Sequence, residues 1–367
     1  MRLRKLEIKN FRNYNQQQLE PGFSLNVFCG ANAQGKTNVL EAIYLACTGR
    51  SFRTFKDSEI INWEKDFALI SADFATGASE VALKVLLTAG QKKITINGAP
   101  AKGFPFGWPG AILFTPDSLN IIKGSPQSRR SFIDLEIGPL DHQYNYSLRS
   151  YQRVLLQRNN LLKEIREDQE KTALLETWNK QFCLYGAKIV RARLSLLQQL
   201  NKVVKGIYSE LTQGGEEISF RYNSSVKVKP GIEEKDLVSS FAQSLKENEK
   251  EEIYRGQSGC GPHRDDLIFF INEKEARTYG SQGQQRSLSL ALKLSLLKMW
   301  YNEAREYPLL LMDDVMSELD EKRQKELLNI VGAEAQTFIS SSVLSDLRAG
   351  PGAVVKSFIV KDGKIEG

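Results

Sequence analysis

The chain has 367 residues, 41% of them hydrophobic and 26% charged, with a formal net charge of +6. That length accommodates two domains or more with a sizeable core, and the balance fits a soluble globular protein. No apolar run approaches the roughly 18 residues that a bilayer span needs. Cys29, Cys47, Cys183 and Cys260 show no CxxC spacing, and only two histidines occur. Reduced thiols and no zinc or histidine-based metal site are therefore expected. The start, Met1-Arg2-Leu3-Arg4-Lys5, leads into an alternating strand and not into an apolar signal core, so the expected location is the cytoplasm. A mild positive charge permits a nucleic-acid partner without requiring one.

Residues 2–8 read as a first strand, followed by Asn10-Phe11-Arg12-Asn13-Tyr14. Residues 23–28 alternate as a second strand, with Val and Phe favoured there. Then comes Gly30-Ala31-Asn32-Ala33-Gln34-Gly35-Lys36-Thr37, which fits G-x-x-x-x-G-K-S/T, the phosphate-binding P-loop. The glycines let the backbone approach anionic oxygens, and successive N–H groups point inward at them. Lys36 is expected to reach the β- and γ-phosphates, and Thr37 to offer its hydroxyl to Mg²⁺. Asn38 follows, and Val39, Leu40, Ile43, Tyr44 and Cys47 fall at helical spacing behind it. A glycine-rich turn with an incidental lysine is the plain alternative. The strand–loop–helix order argues against it, and a helix N-terminus adds its own preference for anions.

Strand-like runs continue at 67–74, 81–87, 93–96 and 111–114, with a hairpin signal at Asn97-Gly98. The texture then becomes helical, over 144–166, 172–208 and 235–252, with possible strand character only at 217–228. Strand character returns at 267–271 and a helix is expected over 287–300. Strands follow at 309–312 and 337–339, and a final hairpin turns at Asp362-Gly363. The organisation expected is one α/β head made from both ends of the chain, residues 1–118 and 255–367. A mostly helical arm, residues 119–254, is inserted between them.

Two further motifs carry chemistry. Leu309-Leu310-Leu311-Met312 reads as a strand buried on both faces of a parallel sheet. Asp313 and Asp314 stand where it ends, the edge at which open α/β sheets bind ligands. Asp313 is expected to hold Mg²⁺ as a Walker B carboxylate and Asp314 to polarise the attacking water. Ser281-Gln282-Gly283-Gln284-Gln285 precedes a long helix. A small polar turn there either caps the helix or forms a second anion site. A second phosphate site on a chain with one P-loop suggests one nucleotide shared by two subunits.

P-loop, SQGQQ turn and MDDVMSELD, in this order, look like the ATP-binding cassette heads of the structural-maintenance and DNA-repair ATPases. Asn10 to Tyr14, Thr48-Gly49-Arg50-Ser51-Phe52-Arg53-Thr54, Lys123-Gly124-Ser125-Pro126, Arg129-Arg130-Ser131-Phe132-Ile133-Asp134, Gly259-Cys260-Gly261-Pro262-His263-Arg264-Asp265-Asp266 and Ser281-Gln282-Gly283-Gln284-Gln285-Arg286 narrow this further. With them the whole chain resembles the RecF family of bacterial recombination mediators. The resemblance implies a P-loop ATPase head with an inserted helical arm. It gives residues 30–38 and Ser281, Gly283 and Gln284 to ATP, Thr37 and Asp313 to Mg²⁺, and Lys36, Asp313 and Asp314 to catalysis. The stretch 317–320 matches the D-loop. It also implies an ATP-gated homodimer on single-stranded, gapped or junction DNA. Such a dimer would act with RecO and RecR in recombinase loading, replication, repair and the SOS response.

Departures qualify this. Gln282 replaces the first glycine of the commoner LSGGQ signature, although RecF-like chains share the change. Asp314 stands where many cassettes have Glu, and Ser341-Ser342 follow the strand where transporters have a switch histidine. Weak hydrolysis, used as a switch, is the expectation. For DNA backbone the candidates are Arg129, Arg130, Lys188, Arg191 and Arg193, the last three within the acid-free stretch 178–208. Arg12, Arg50 and Arg53 are weaker candidates for phosphate, and Gly261-Pro262-His263-Arg264 reads first as a shaping turn. The rival readings are a transporter ATPase subunit, a small-molecule kinase and a binding module without hydrolysis.

Overall fold

The structure is a computed structural model. It describes residues 1–367 apart from 78, 105–107, 109, 230, 332–334 and 343–353, and apart from the side chains of residues 142 and 318. Its contacts divide the chain into two units, residues 1–118 with 290–367, and residues 119–289.

Two sheets build the first unit. Strands Leu25–Cys29 and Leu309–Asp313 are buried at every position, as central strands covered on both faces must be. They belong to a sheet ordered Lys364–Glu366, Val355–Lys361, Leu25–Cys29, Thr337–Ser341, Leu309–Asp313, Ala111–Phe114. All neighbours run parallel except the edge strand Lys364–Glu366. Only Thr337–Ser341 therefore separates the strand entering the glycine loop from the strand ending in the acidic pair. Their C-terminal ends lie on one edge.

The second sheet is antiparallel, ordered Tyr14–Leu19, Arg2–Phe11, Phe67–Thr76, Ser79–Thr88, Gln91–Ile96, Ala99–Ala101. Arg2–Phe11 turns Leu3, Leu6 and Ile8 inward, and the phase slips by one at a bulge between Leu3 and Lys5. Helix Lys36–Thr48 packs on both sheets. Its Val39, Leu40, Ile43 and Leu45 share one core with Ile8, Phe74 and Val85 of the antiparallel sheet and Leu309, Leu311 and Phe338 of the parallel one. Each such side chain, fully buried, contributes roughly 1.5–3 kcal/mol. The P-loop helix is thus fixed from two sides.

The second unit packs helices His142–Glu167, Leu175–Thr212 and Glu234–Arg255 against one another. Asp141 caps the first, accepting from the N–H groups of Gln143 and Tyr144. In the second, Phe182, Gly186, Ile189, Arg193, Leu196, Leu200 and Val204 recur at three and four and face inward. Among these helices Arg158 is wholly buried and donates to Asn179, Ser258 and Glu252 at 2.7, 2.7 and 2.6 Å. Burial pushes the His263 imidazole down to about 4. Neutral at pH 7, it lies 2.7 Å from the Tyr151 hydroxyl without a charge to solvate. The Arg264 N–H bonds the Gly261 carbonyl at 2.8 Å, closing a turn across the same stretch.

Residues 255–289, which the sequence places with the head, group by contacts with residues 119–254. Strand Asp266–Ile271 pairs antiparallel with Ile218–Asn223 along its length, and Asp266 takes the Arg129 guanidinium through two bonds of 2.7 and 2.8 Å. Strand character is a local property, whereas a pairing partner some 40 residues away is not. The helix expected over 287–300 runs from Gln282 to Ala304, so the division falls inside it.

Candidate nucleotide site

The loop 30–35 leaves the buried strand Leu25–Cys29 and delivers the chain into helix Lys36–Thr48. Gly30 sits where a Cβ would come within 2.2 Å of the Val360 carbonyl oxygen, so only glycine fits. Ala33 takes a φ of +65°. Among the described residues, none accepts a hydrogen bond from the N–H groups of residues 31–34. The Lys36 side chain folds back over the loop, donating to the Gly30 and Ala31 carbonyls at 2.7 and 2.9 Å. A cationic head beside free N–H donors at a helix N-terminus fits a polyphosphate.

Asp313 ends its strand beside this loop. Its Oδ1 accepts from Thr37 Oγ1 at 2.9 Å and from Ser340 Oγ at 2.7 Å. The Ser340 hydroxyl in turn accepts from the Asp314 N–H at 2.9 Å. Asp314 has a φ of +54°, uncommon for a residue with a Cβ, and its side chain is exposed. One buried serine therefore holds both acids of the pair. Among the described residues no group of three or more His, Cys, Asp and Glu is placed to hold a metal. Thr37 and Asp313 form a two-residue oxygen set of the sort Mg²⁺ uses when water and substrate phosphate complete its octahedron.

Sequence reasoning missed Ser340, Glu41 and Asn13. Glu41 is fully buried on the P-loop helix, where it takes the Arg12 guanidinium at 2.9 and 2.7 Å, accepts from Ser51 Oγ at 2.5 Å and lies 3.5 Å from Arg53. Arg53 also donates to Asn38 Oδ1 at 2.7 Å. The available signal was a glutamate set among Val39, Leu40, Ala42 and Ile43, because an acid in an apolar helix needs a cation. Arg12 and Arg53 are thus engaged with Glu41.

Ser281 and Gln284 form a capping box at the start of helix Gln282–Ala304. The Gln284 N–H donates to Ser281 Oγ at 3.2 Å, and the Ser281 N–H to Gln284 Oε1 at 2.8 Å. Gln284 also donates to Glu216 at 2.7 Å. Ser281 is exposed and Gly283 half-buried. Of the D-loop, Asp320 caps the next helix through the Arg323 N–H at 2.9 Å, and the Glu318 side chain lies outside the described residues.

Two of the DNA-backbone candidates are corrected. Arg129 and Arg193 are buried, 4% and 1% exposed. Arg129 is held by Asp266, and Arg193 by Asp134 at 2.7 Å, Tyr144 at 2.9 Å and the Pro262 carbonyl at 2.8 Å. Both guanidiniums are internal struts with no donor facing solvent phosphate. Arg130 is half-buried and donates to the Asp265 carbonyl and Gln127, and Lys188 is half-buried. Arg191 is exposed but lies 3.2 Å from Glu234, while Lys180 and Lys205 pair with Glu176 and Glu217. Acids from outside the stretch thus face its cations.

A family model described as an AAA domain matches residues 5–336. The DNA replication and repair protein RecF of Pelotomaculum thermopropionicum is 45% identical over 366 residues, covering 100% of each chain. This chain belongs to the RecF family. Its RecF-family fold is matched by the solved structure of the recombination mediator protein RecF with ATP, with a TM-score of 0.91 at 34% identity over 99% of this chain and 96% of that one. The Smc head domain of Pyrococcus furiosus, at 17% identity, shares the fold, with a TM-score of 0.55 over 99% and 95% of the two chains. The expected class, an ATPase head with an inserted helical region, is the class of these RecF and Smc heads. Among the described residues no helix is long and apolar enough to cross a membrane.

Proposed function

We propose that this RecF-family chain is an ATP-gated DNA-binding protein of recombinational repair and a weak ATPase. One observation carries the nucleotide reading: Thr37 and Asp313, 276 residues apart in sequence, meet at 2.9 Å beside Lys36. The N–H groups of residues 31–35 and the Lys36 ammonium bind the phosphates of ATP. Asn38 lines the same loop, and Thr37 and Asp313 hold Mg²⁺. Bound there, Mg²⁺ neutralises charge on the transferring phosphoryl group. Asp314 takes a proton from water as the water oxygen attacks the γ-phosphorus and the bond to ADP breaks. Its short side chain fits slow turnover and a switching role.

Ser281, Gly283 and Gln284 present a long helix's N-terminus to the γ-phosphate of a second subunit. ATP then joins two copies, the dimer binds single-stranded, gapped or junction DNA, and hydrolysis releases it. RecO and RecR are the partners for recombinase loading, replication and SOS induction, in the cytoplasm. What supports this is the likeness to a recombination mediator protein of the RecFOR pathway. Arg130, Lys188 and Arg191 remain candidates for DNA backbone.

The test is sedimentation with ATP, ADP and no nucleotide, each with and without gapped DNA at fixed salt. A dimer is expected with ATP alone. Ser281→Arg, which puts a bulky cation on the exposed cap, is expected to leave a monomer under all conditions and to abolish hydrolysis while ATP still binds. A triphosphate form that stays monomeric at every concentration, with DNA present, sinks the reading. In phosphate-release assays Ser340→Ala, which frees the Asp314 N–H and one bond to Asp313, is expected to lower kcat about tenfold with KM for ATP little changed. Ser340→Thr restores it.

A further inference from the structure

Two hairpin turns that carry no phosphate-binding group grip the nucleotide loop from outside. The turn between strands Val355–Lys361 and Lys364–Glu366 has positive φ at both central residues, +47° at Asp362 and +70° at Gly363, as a two-residue hairpin turn prefers. Both of its N–H groups end on Gln34. Asp362 donates to Gln34 Oε1 at 2.7 Å and Gly363 to the Gln34 carbonyl at 3.2 Å. From the other turn, Asn13 Nδ2 donates to the same carbonyl at 3.0 Å, and Asn13 Oδ1 accepts from Asn38 at 2.8 Å. Gln17 ties the two hairpins, exchanging bonds of 3.1 and 3.2 Å with the backbone of Ile365.

We propose that the Gln34 side chain and carbonyl, with the Asp362-Gly363 turn, form a clasp that sets ATP affinity through groups that do not themselves contact ATP. Gln34 is a positioning residue, and the proposal rests on the reading of residues 30–37 as the ATP site. Phosphate binding needs the loop in one conformation, with Ala33 at φ +65°, a region that disfavours a Cβ. A loop free to leave that conformation binds more weakly, in proportion to the fraction that remains competent. Three hydrogen bonds to one residue, adjacent to Ala33 and Gly35, hold it there. The Gly363 position leaves no room for drift: a Cβ would come within 2.4 Å of the Asn13 carbonyl oxygen.

The test titrates the full chain with a fluorescent ATP analogue, comparing wild type, Gln34→Met, Gly363→Ala, their double variant and Lys36→Ala. Unfolding midpoints and amide exchange at residues 362–363 are measured in parallel. Each clasp variant is expected to weaken binding about five- to tenfold. The double variant loses about as much as one of them, because both release the same turn from the loop. By reciprocity, ATP slows exchange at the Asp362 and Gly363 amides of wild type and not of Gln34→Met. Gln34→Met alters no backbone φ, so it decides alone if Gly363→Ala lowers the midpoint. Binding by Gln34→Met within twofold of wild type, with exchange unaffected by ATP, overturns the clasp while leaving the ATP site standing. Equal binding by wild type and Lys36→Ala removes the ATP site and the clasp with it.

Discussion

Asp313→Asn is expected to fold as wild type and to lose hydrolysis, with phosphate release falling at least about a hundredfold, some 3 kcal/mol of barrier. The substitution is nearly isosteric, and Asn keeps the Oδ1 acceptor used by Thr37 and Ser340. What disappears is the negative charge 2.9 Å from the Thr37 hydroxyl. Two readouts separate this from a general weakening of the site. Nucleotide affinity without Mg²⁺ is expected to match wild type, since Lys36 and the loop N–H groups are untouched. The increment that Mg²⁺ adds is expected to vanish. A variant that releases phosphate at the wild-type rate, or keeps its full Mg²⁺ response, removes Asp313 from the metal site.

The second large effect concerns stability. Arg158→Ala is expected to cost the inserted unit about 3–5 kcal/mol, because it strands a buried carboxylate. Glu252 is 1% exposed, and its other oxygen accepts from the Gly259 N–H at 2.7 Å. Asn179 and Ser258 lose a donor as well, and the guanidinium leaves the face of Phe182, 5.1 Å from its centroid. Arg255→Ala is the control. Its ion pair with Glu251 is solvent-exposed, 60% and 55% on the two side chains, and such pairs contribute about 0–1 kcal/mol. Urea denaturation of the full chain, with hydrogen exchange to locate the loss on helices His142–Glu167 and Glu234–Arg255, reads both. Replacing both partners, Arg158→Met with Glu252→Leu, is expected to recover most of the stability, since no charge is then left buried. Equal losses for Arg158→Ala and Arg255→Ala refute the account.

Much of the head was readable because its signals are local. The alternating strands, the glycine loop, the apolar run before Asp313 and the hairpin at Asp362-Gly363 each announce themselves within about ten residues. The capping box at Ser281 was readable too, as one of two meanings of the same five residues. Misreadings arose where meaning depended on a distant partner. Arg129 and Arg193 look like free cations until Asp266 and Asp134 are seen against them. Glu217 and Glu234 lie outside the acid-free stretch and still neutralise parts of it. Strand character at 217–228 and at 267–271 was legible, but not that the two pair with each other.

Spacing along the chain was enough to establish a P-loop, an acidic strand end and a helix-opening polar turn, because each is a short-range arrangement of backbone and side chain. Which groups face one another came from folding. Thr37 against Asp313, Ser340 beneath both acids and Gln34 under a turn more than 300 residues away arise from parallel strands aligning their ends on one sheet edge, and Glu41 between Arg12 and Arg53 from the P-loop helix packing on the antiparallel sheet. Strand order is chosen by burial of whole faces, and no local pattern encodes it.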